Sequence, residues 1–503
     1  MKRITITVNN LNFSVHVYDK RLEHIIKFVC DKLTTHTLVY NKHSRRYYKQ
    51  EDKSFYTYDN REKCYRFPIT IIKNFMLTLS EYKLGKDDIE IIRSEDPNYH
   101  TLNVKWNKKF ILRDYQEDYI KAFFNNMQKK ILLVDAPVGS GKGLIAAGIE
   151  HKLNFRIGCL LLPKYVKKWV DEFKLYLNME DEDICVVQGE ESLVDLMEDE
   201  DITYKVIIFS IPTIINYLRD YENGSKLLPI RPYELFQKLG IGLIYNDETH
   251  NHFHAVTRAI CYFDAKAMIC STATLDSNQS DMKKLYKTVV PDDNRISNLV
   301  SRDPYVTTVP IMYYLQMNKS IKYKRAKGYN HILFEQSIMR NSIFLNNYFK
   351  MIKYYMEYLY FKRRAKEDKI AIFFASIDMC KIFTNYLKRE YPKEDIYRYI
   401  GGDDYNTMLN SQIIVTNHSM LGTGIDIKNL TTVIQTVSAS SLQANVQNFG
   451  RLRKIEGKEV MYAYLYTRAI PNQYKMHLDR YHAIADKSKE VLYMEYPVEV
   501  KTY

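Results

Sequence analysis

The feature that most constrains the fold is a repeated alternation of short apolar segments with stretches that have helical spacing. In the first half of the chain the apolar segments lie at 131–137, 157–163, 206–210, 241–247 and 267–274. After a long helical segment at about 331–366, further segments lie at 369–376, 395–401, 411–417, 431–437 and 460–466. Strands that alternate with helices are typical of a parallel sheet covered on both faces. The sequence therefore predicts an α/β protein with two tandem parallel-sheet domains, at residues 101–305 and 306–480.

The first hundred residues show a different pattern of apolar residues, which predicts a small α+β domain. Alternating apolar residues at 4–8 and 13–17, with two asparagines between them, are typical of a β-hairpin. Helical spacing follows at 22–33, and a second helix is expected to begin near Pro68. Further strands are predicted at 38–40, 55–58 and 88–93. Residues 481–503 are assigned to a C-terminal tail.

The bulk composition excludes several classes of protein. Of 503 residues 46% are hydrophobic, which is enough for two or three cores and excludes a disordered chain. No segment approaches the ~18 uninterrupted apolar residues of a membrane span, and the first ten residues lack the apolar part of a signal peptide. The seven cysteines are scattered singly, which is typical of a reduced intracellular protein. We therefore expect a cytoplasmic protein with no membrane contact.

The net charge indicates a class of partner. The formal charge of +13 favours a polyanion, because Lys and Arg release counterions when they contact phosphates. A basic surface without a target is the alternative. The basic and aromatic stretch at 43–50 is a candidate duplex contact through Arg45 and Arg46, and a solvated face is its alternative.

A glycine-rich turn with a lysine follows the first strand of the first α/β series. Residues 136–142 read APVGSGK, and helical spacing begins directly after them. Glycines let the backbone wrap around phosphates, the N–H groups at a helix start favour an anion, and the lysine reaches the β- and γ-oxygens. The sequence therefore predicts a phosphate site formed by Pro137, Gly139, Ser140, Gly141, Lys142 and Gly143.

The residue after the lysine departs from the usual pattern. Phosphate loops of this type carry Ser or Thr there, whose hydroxyl binds Mg²⁺, but this chain has Gly143. Water or the Ser140 hydroxyl is expected to take that position. We expect the departure to affect metal affinity and turnover more than nucleotide binding.

An acidic pair ends another apolar strand about a hundred residues after the turn, in the segment IGLIYNDETH. Asp247 is predicted to hold Mg²⁺, and Glu248 to act as general base on the attacking water. His250, His252 and His254 alternate along the chain, but no cysteine or further acid is clustered with them. We therefore favour a link across a cleft for His250 over a zinc site.

These segments, in this order, resemble the motifs of superfamily 2 helicases with a DExH box, over roughly residues 110–470. The resemblance implies two RecA-like domains, with ATP and Mg²⁺ as cofactors. Arg113 and Gln116 resemble the element that recognises adenine, and the turn and the acidic pair resemble motifs I and II. Residues 271–274 resemble motif III, in which Thr272 and Thr274, together with His250, are expected to couple hydrolysis to movement.

The second domain carries further motifs of the same family. Residues 422–426 resemble motif V, and residues 447–451 are similar to motif VI. The family usually has two arginines three residues apart in motif VI, but here Lys454 stands at the second position. Lysine lacks the planar fork of arginine, so which basic residue touches the γ-phosphate stays open. The residues to which the resemblance assigns nucleotide contacts or catalysis are Gly424, Asp426, Gln447, Arg451 (the main candidate for the arginine finger) and Arg453.

Polar residues at strand ends stand where the family contacts the sugar–phosphate backbone of one strand. Ordinary loop polarity is the alternative at each position. These candidates for nucleic-acid binding are Lys164, Ser210, Thr213, Thr416 and Thr423.

The N-terminal domain extends the resemblance to phage UvsW-type branch-migration helicases. This implies a monomeric ATP-dependent motor in the host cytoplasm that remodels branched DNA in replication, recombination or repair, with protein partners of those processes. Fork regression, Holliday-junction branch migration and R-loop unwinding are the activities it implies. An RNA helicase, a duplex translocase without strand separation and an ATP-gated clamp with low turnover remain as alternatives. Gly143 and the altered motif VI are the reasons to retain the clamp as an alternative function, whereas the intact acidic pair argues against it.

Overall fold

Three sheets, one mixed and two parallel, carry the architecture in this computed structural model. It describes residues 2–41, 46–137, 139–225, 228–272, 280–297, 299, 304–325, 328–401, 403–417, 427–439 and 442–503. At 37–41, 46–52, 280, 281, 405, 442–444 and 447 only the backbone is described. The chain divides into two units, Met1–Ser301 and Arg302–Tyr503. Within the described ranges, no helix is long and apolar enough to cross a membrane.

The N-terminal hundred residues form an α+β domain. Its elements are β1 (Ile4–Val8), β2 (Asn12–Val17), α1 (Glu23–Lys32), β3 (Thr34–Asn41), β4 (Arg46–Ser54), β5 (Thr57–Asp59), β6 (Cys64–Pro68), α2 (Ile72–Glu81) and β7 (Ile89–Arg93). The main sheet has the order β5-β6-β2-β1-β7, and β3 with β4 forms a separate hairpin. The predicted hairpin of β1 and β2 is confirmed, with Ile6 opposite Val15 on the core side.

This N-terminal domain packs against the first parallel-sheet domain through buried polar contacts. The Asn12 amide donates to the carbonyl oxygens of Ile260 and Phe263, at 3.0 and 3.1 Å. The Asp264 carboxylate accepts from the Leu11 N–H at 2.9 Å. Buried polar groups that are paired in this way fix orientation, because each lost partner leaves a costly unsatisfied group.

The first α/β domain contributes the second sheet. Its elements are α3 (Asp114–Asn126), β8 (Ile131–Asp135), α4 (Lys142–Leu153), β9 (Arg156–Leu161), α5 (Pro163–Leu177), β10 (Ile184–Val187), α6 (Glu190–Glu198), β11 (Val206–Ser210), α7 (Ile211–Asn223), α8 (Pro232–Lys238), β12 (Ile241–Asp247), α9 (Phe253–Ile260), β13 (Ala267–Thr272), α10 (Ser280–Val289) and β14 (Arg295–Ile296). The order is β10-β11-β9-β12-β13-β8-β14, and each pair is parallel. The ends of β12, β13 and β8 therefore meet at one edge, with Asp247 beside Ser271 and Thr272 beside Asp135.

Helix α5 shows why these segments fold as they do. Pro163 stands in its first turn, where a missing N–H costs nothing. Trp169, Phe173 and Leu177 repeat at the four-residue spacing of one helix face, and all three are buried against the sheet. The charged residues Lys164, Lys167 and Asp171 of the same helix are exposed.

The second unit holds the third sheet. Its elements are β15 (Val306–Met312), β16 (Lys324–Arg325), β17 (Gly328–Tyr329), α11 (His331–Met339), α12 (Ser342–Met356), β18 (Lys369–Phe374), α13 (Ile377–Glu390), β19 (Ile396–Tyr399), α14 (Tyr405–Asn410), β20 (Ile413–Asn417), β21 (Leu430–Gln435), α15 (Leu442–Phe449), β22 (Val460–Tyr466), α16 (Pro471–Ile484), β23 (Glu490–Val491) and β24 (Met494–Glu495). The order is β19-β20-β18-β21-β22-β15-β23, with β24 also on β15. All of these pairs are parallel.

The α/β class and the two parallel sheets confirm the predicted fold. The long helical segment predicted at 331–366 is in fact two helices and a π-helical turn (Glu357–Phe361), because Asn341 accepts N–H bonds from Ile343 and Phe344 and starts a new helix. Strand β15 was missed because Pro310 interrupts its pattern. The sequence also did not predict the two edge strands of the second sheet, β10 and β14, or the N-terminal strands β4 and β6.

Candidate functional site

The phosphate turn connects β8 to α4, as predicted. Gly139 and Gly141 both have φ of +77°, a left-handed conformation that glycine adopts without steric cost. A Cβ atom at Gly141 would also lie 2.4 Å from Nε2 of Gln116, so this position requires glycine. The Lys142 ammonium donates to the Ala136 carbonyl across the turn, at 3.4 Å. The lysine is thereby held over the N-terminal end of α4.

The segment predicted to recognise adenine is bound to this turn. Gln116 is buried, and its amide donates to the Ser140 carbonyl at 2.9 Å while accepting from the Arg113 N–H at 3.0 Å. The Tyr115 hydroxyl donates to the same Ser140 carbonyl at 3.0 Å. Arg113 itself is exposed. The contacts make Gln116 a brace between α3 and the turn, and adenine recognition by it stays a prediction.

Asp247 lies at the end of β12 and is nearly inaccessible. Its carboxylate accepts hydrogen bonds from the Trp169 indole at 3.0 Å and the Ser271 hydroxyl at 2.7 Å. The Lys168 ammonium lies 3.3 Å away. Burial alone raises the pKa of this carboxyl, but Lys168, Lys142 and the two hydrogen bonds together hold it below its usual value. Asp247 is therefore an ionised carboxylate in a dry setting, the kind of oxygen ligand that Mg²⁺ prefers.

Glu248 has the opposite electrostatic character. Its backbone is left-handed, with φ of 49° and ψ of 46°, a strained conformation for a non-glycine residue that is common at functional sites. Burial raises its pKa to about 7, against the lowering effect of Lys142. A carboxylate with a pKa near the working pH is suited to accept a proton from water. The two acids of this pair therefore differ in the way that a metal ligand and a general base should.

His250 links the acidic pair to the end of β13. Its Nδ1 lies 2.8 Å from the Thr272 hydroxyl and 3.3 Å from the Glu248 carboxylate. Burial lowers its pKa to about 4, so the ring is neutral near pH 7. Within the described residues no group of three or more His, Cys, Asp or Glu is arranged to hold a metal. The coupling role of His250 and Thr272 stays a prediction that this contact supports.

Two residues at this site were not singled out from the sequence. Lys168 and Trp169, both on α5, bind Asp247 directly, and the Trp169 ring also packs on Tyr245 of β12 at 4.4 Å between centroids. Trp169 belongs to the apolar stripe of α5, which indicates packing and not a contact with an acid, and Lys168 left no signal of its own in the sequence.

The predicted nucleic-acid contacts of the first unit differ in accessibility. Lys164 is exposed at the start of α5, where its charge also acts on Glu248 and His250. Ser210 and Thr213 are buried, and the Thr213 hydroxyl accepts from the Gly189 N–H at 2.9 Å. Lys164 is thus the most accessible of the three.

In the second unit the described part of motif VI is anchored within its own domain. Arg451 is buried, donates to the Asn448 amide oxygen at 3.3 Å and lies over the Phe373 ring. Arg453 donates to the Gly450 carbonyl, and Thr416 is buried near the end of β20.

Several predicted residues fall on parts that the structure does not describe. Thr274, Thr423, Gly424, Asp426 and Arg45 lie outside the described residues, and for Arg46 and Gln447 only the backbone is described. Their assigned roles stay predictions.

The comparisons with known proteins centre on the first α/β domain. Residues 109–277 match the family described as the res subunit of type III restriction enzymes. The helicase/translocase subunit XPB of the general transcription and DNA repair factor IIH from Danio rerio is 27% identical over 110 residues, which are 21% of this chain and 13% of that protein. Over residues 109–277 the chain is therefore similar to helicases of superfamily 2, and it spans only a small part of the length of the XPB relative.

Two solved structures resemble the whole chain or most of it. The crystal structure of T4 UvsW is 15% identical, with a TM-score of 0.37 over 100% of both chains. The structure of S. cerevisiae Dbp5 bound to RNA and ADP BeF3 is 13% identical, with a TM-score of 0.46 over 76% of this chain and 94% of that one.

At one edge of one sheet the first α/β domain combines the parts of a nucleotide site. The turn at 136–142 offers backbone N–H groups and a lysine for phosphates, the Asp247 carboxylate is ionised, and the Glu248 carboxyl has a pKa near neutrality. Binding a triphosphate and activating a water beside its terminal phosphate is the chemistry that this arrangement can perform.

Proposed function

We propose that the chain is an ATP-driven motor that moves on nucleic acid and remodels branched DNA. The observation that carries this proposal is the difference between the two carboxyl groups at the end of β12: Asp247 is held ionised, and Glu248 has a pKa of about 7. Both lie on the sheet edge from which the phosphate turn emerges. A chain that only bound a nucleotide would have no use for a general base.

The hydrolytic step follows from these residues. The Lys142 ammonium and the N–H groups at the start of α4 hold the β- and γ-phosphates. Glu248 takes a proton from water as the water oxygen bonds to the γ-phosphorus, and the bond to the β–γ bridging oxygen breaks to release ADP and phosphate. Asp247 would hold Mg²⁺, which supplies charge neutralisation on the phosphates when bound with the nucleotide. Arg451 is proposed to reach the γ-phosphate from the second unit.

The substrate is proposed from three supporting observations. The net charge of +13 favours a polyanion. The family match and the XPB relative, a DNA repair helicase/translocase subunit, favour DNA over RNA. The N-terminal α+β domain is joined to the first α/β domain by buried contacts, so that a duplex bound there would keep a set position relative to the phosphate turn.

The test is ATP hydrolysis at low salt with five additions: none, single-stranded DNA, single-stranded RNA, plain duplex and a synthetic four-way junction. We expect the junction to give the strongest stimulation, and Glu248→Gln to abolish it while junction binding persists. Stimulation by RNA alone would replace the proposal with an RNA helicase. Binding without hydrolysis above the Glu248→Gln level would leave an ATP-gated clamp.

A further inference from the structure

The place usually filled by a hydroxyl after the P-loop lysine is filled here by a carboxylate from another helix. Gly143 is buried in the first turn of α4. A Cβ atom built there would lie 1.9 Å from Oε2 of Glu172 and 2.8 Å from its Cδ. The hydroxyl of a Ser or Thr is bonded directly to Cβ, so the Glu172 oxygen occupies the region where that hydroxyl would stand. The absence of a side chain at Gly143 and the position of the Glu172 carboxylate are therefore linked, because a side chain at residue 143 would collide with this carboxylate.

Glu172 presents an oxygen that the protein leaves without a partner. It lies on α5, and its Oε1 is 3.8 Å from the Lys168 ammonium. Its Oε2 is buried and has no hydrogen-bond partner among the described residues. A buried carboxylate oxygen without a partner is costly, and such atoms in native structures call for an explanation. A ligand that approaches the phosphate turn would provide the missing partner.

Glu172 also lies within one electrostatic cluster with the catalytic acids. Lys168 is 3.8 Å from Glu172 and 3.3 Å from Asp247, so one ammonium lies between the two carboxylates. Burial and the charge of Asp247 raise the pKa of the Glu172 carboxyl, whereas Lys168 and Lys142 act in the opposite direction, so a cation bound beside it would favour its charged form. Glu172 and Asp247 both lie within 4 Å of one ammonium, beside a phosphate-binding lysine. One or two carboxylates plus phosphate oxygens are the ligands by which proteins bind Mg²⁺.

We propose that Glu172 replaces the P-loop Ser or Thr as a ligand of the divalent cation that accompanies the nucleotide, together with Asp247. The inference rests on the proposed ATPase function and names a further residue of that site. A carboxylate brings a full negative charge where the usual hydroxyl is neutral, so this site should bind the cation firmly despite Gly143. Lys168 then acts as a positioning residue that keeps the two carboxylates together.

The experiment is a titration of Mn²⁺ into the full-length protein with saturating ADP, followed by electron paramagnetic resonance of free Mn²⁺. Glu172→Gln should weaken Mn²⁺ binding by roughly tenfold or more, the scale seen when groups around a metal site are altered. Asp171→Asn removes a charge from an exposed neighbour on the same helix and should leave the affinity unchanged. The double variant Gly143→Ser with Glu172→Ala should recover most of the affinity, because it restores the usual hydroxyl and removes the clash.

The outcomes separate this inference from the proposed function. ADP affinity in the presence of EDTA should be equal or tighter in Glu172→Gln, since a negative charge near the phosphates is removed. Unchanged Mn²⁺ affinity in Glu172→Gln, with wild-type protein that binds ADP and Mn²⁺, would overturn the role of Glu172 alone and leave it as a partner of Lys168. Wild-type protein that binds no ADP with or without Mn²⁺ would overturn the proposed function and this inference with it.

Discussion

The two α/β units differ in how far the buried polar groups around their motif residues are hydrogen-bonded. In the first unit the phosphate turn and the acidic pair meet at one sheet edge, and buried polar atoms of Ser140 and Glu172 have no partner among the described residues. In the second unit Arg451 of motif VI donates to Asn448 at 3.3 Å, and Asn445 on α15 accepts from the buried Arg480 guanidinium at 2.9 Å. The comparison indicates that the phosphate site of the first unit leaves buried polar atoms for a ligand at a cost in stability, whereas α15 of the second unit is held by paired contacts.

The largest expected effect is on chemistry in the first unit. Lys142→Ala should reduce ATP hydrolysis by roughly a hundredfold or more, since it removes the charge that stabilises the transferring phosphoryl group. The melting temperature should change little, because the hydrogen bond of this side chain to the Ala136 carbonyl is long, at 3.4 Å. The matched control is Lys152→Ala, an exposed lysine at the other end of α4. Equal losses in both variants would show that the effect is general and not specific to the turn.

The second prediction concerns stability in the second unit. Arg480→Ala should destabilise it by about 3 kcal/mol, because Asn445 and the Val437 carbonyl lose a buried donor and the Tyr464 ring loses its stacked guanidinium. Hydrogen exchange in α15 and α16 of the full chain measures this locally. Arg468→Ala, an exposed arginine over Tyr474, is the control and should cost less than about 0.5 kcal/mol. Unchanged protection in Arg480→Ala would refute the anchoring role.

The third prediction is a pH dependence in the same region. Burial lowers the pKa of His477 to about 4, while its Nδ1 lies 3.0 Å from the Tyr464 hydroxyl and its ring stacks on Tyr466. Because the folded state disfavours the charged ring, its contribution is complete above about pH 6.5 and falls as the pH drops towards 4. With pKa values of about 6.5 in the unfolded and about 4 in the folded state, we expect a loss of about 2 kcal/mol at pH 5.

Hydrogen exchange of β22 and α16 at pH 7.5 and pH 5, corrected for intrinsic exchange rates, measures this loss. His477→Gln should make the pH dependence shallower, while His482→Gln, an exposed neighbour on α16, should not. Parallel pH profiles in the wild type and His477→Gln would contradict the assignment.

The smallest effect compares two buried serines directly. Ser140 has a buried hydroxyl with no partner among the described residues, whereas the buried Ser411 hydroxyl donates to the Thr407 carbonyl at 2.9 Å. Ser140→Ala should therefore leave the free energy of unfolding unchanged or raise it by about 1 kcal/mol, and Ser411→Ala should lower it by about 1 kcal/mol. Urea denaturation of the full chain measures both. Equal destabilisation would remove the contrast between the two units.

Much of the fold follows from local pattern in the sequence. Strands β11, β12 and β22 were predicted to the residue, because each is a continuous apolar run bounded by polar residues. Strand β15 was not, because Pro310 breaks the run, although the strand is fully buried beside β22. Its place is set by tertiary packing, which the local pattern does not report.

The residues of the candidate site also fall into those that local sequence predicts and those that tertiary packing brings in. The phosphate turn and the DETH segment are each contiguous in sequence, so the local pattern was enough to predict Lys142, Asp247 and Glu248 as site residues. The contacts of α5 with the site were missed, because Lys168 and Glu172 are distant in sequence from both motifs. Gly143 was the one indication in the sequence. Its missing hydroxyl suggests that a side chain from elsewhere in the fold takes the position of the usual metal ligand.

The most direct test of the account is the conversion of a labelled four-way DNA junction into its duplex products. We predict that the wild-type protein resolves the junction with ATP, and that neither a non-hydrolysable analogue nor Glu248→Gln supports the reaction. A junction that stays intact while the protein binds it and hydrolyses ATP would contradict a branch-remodelling motor.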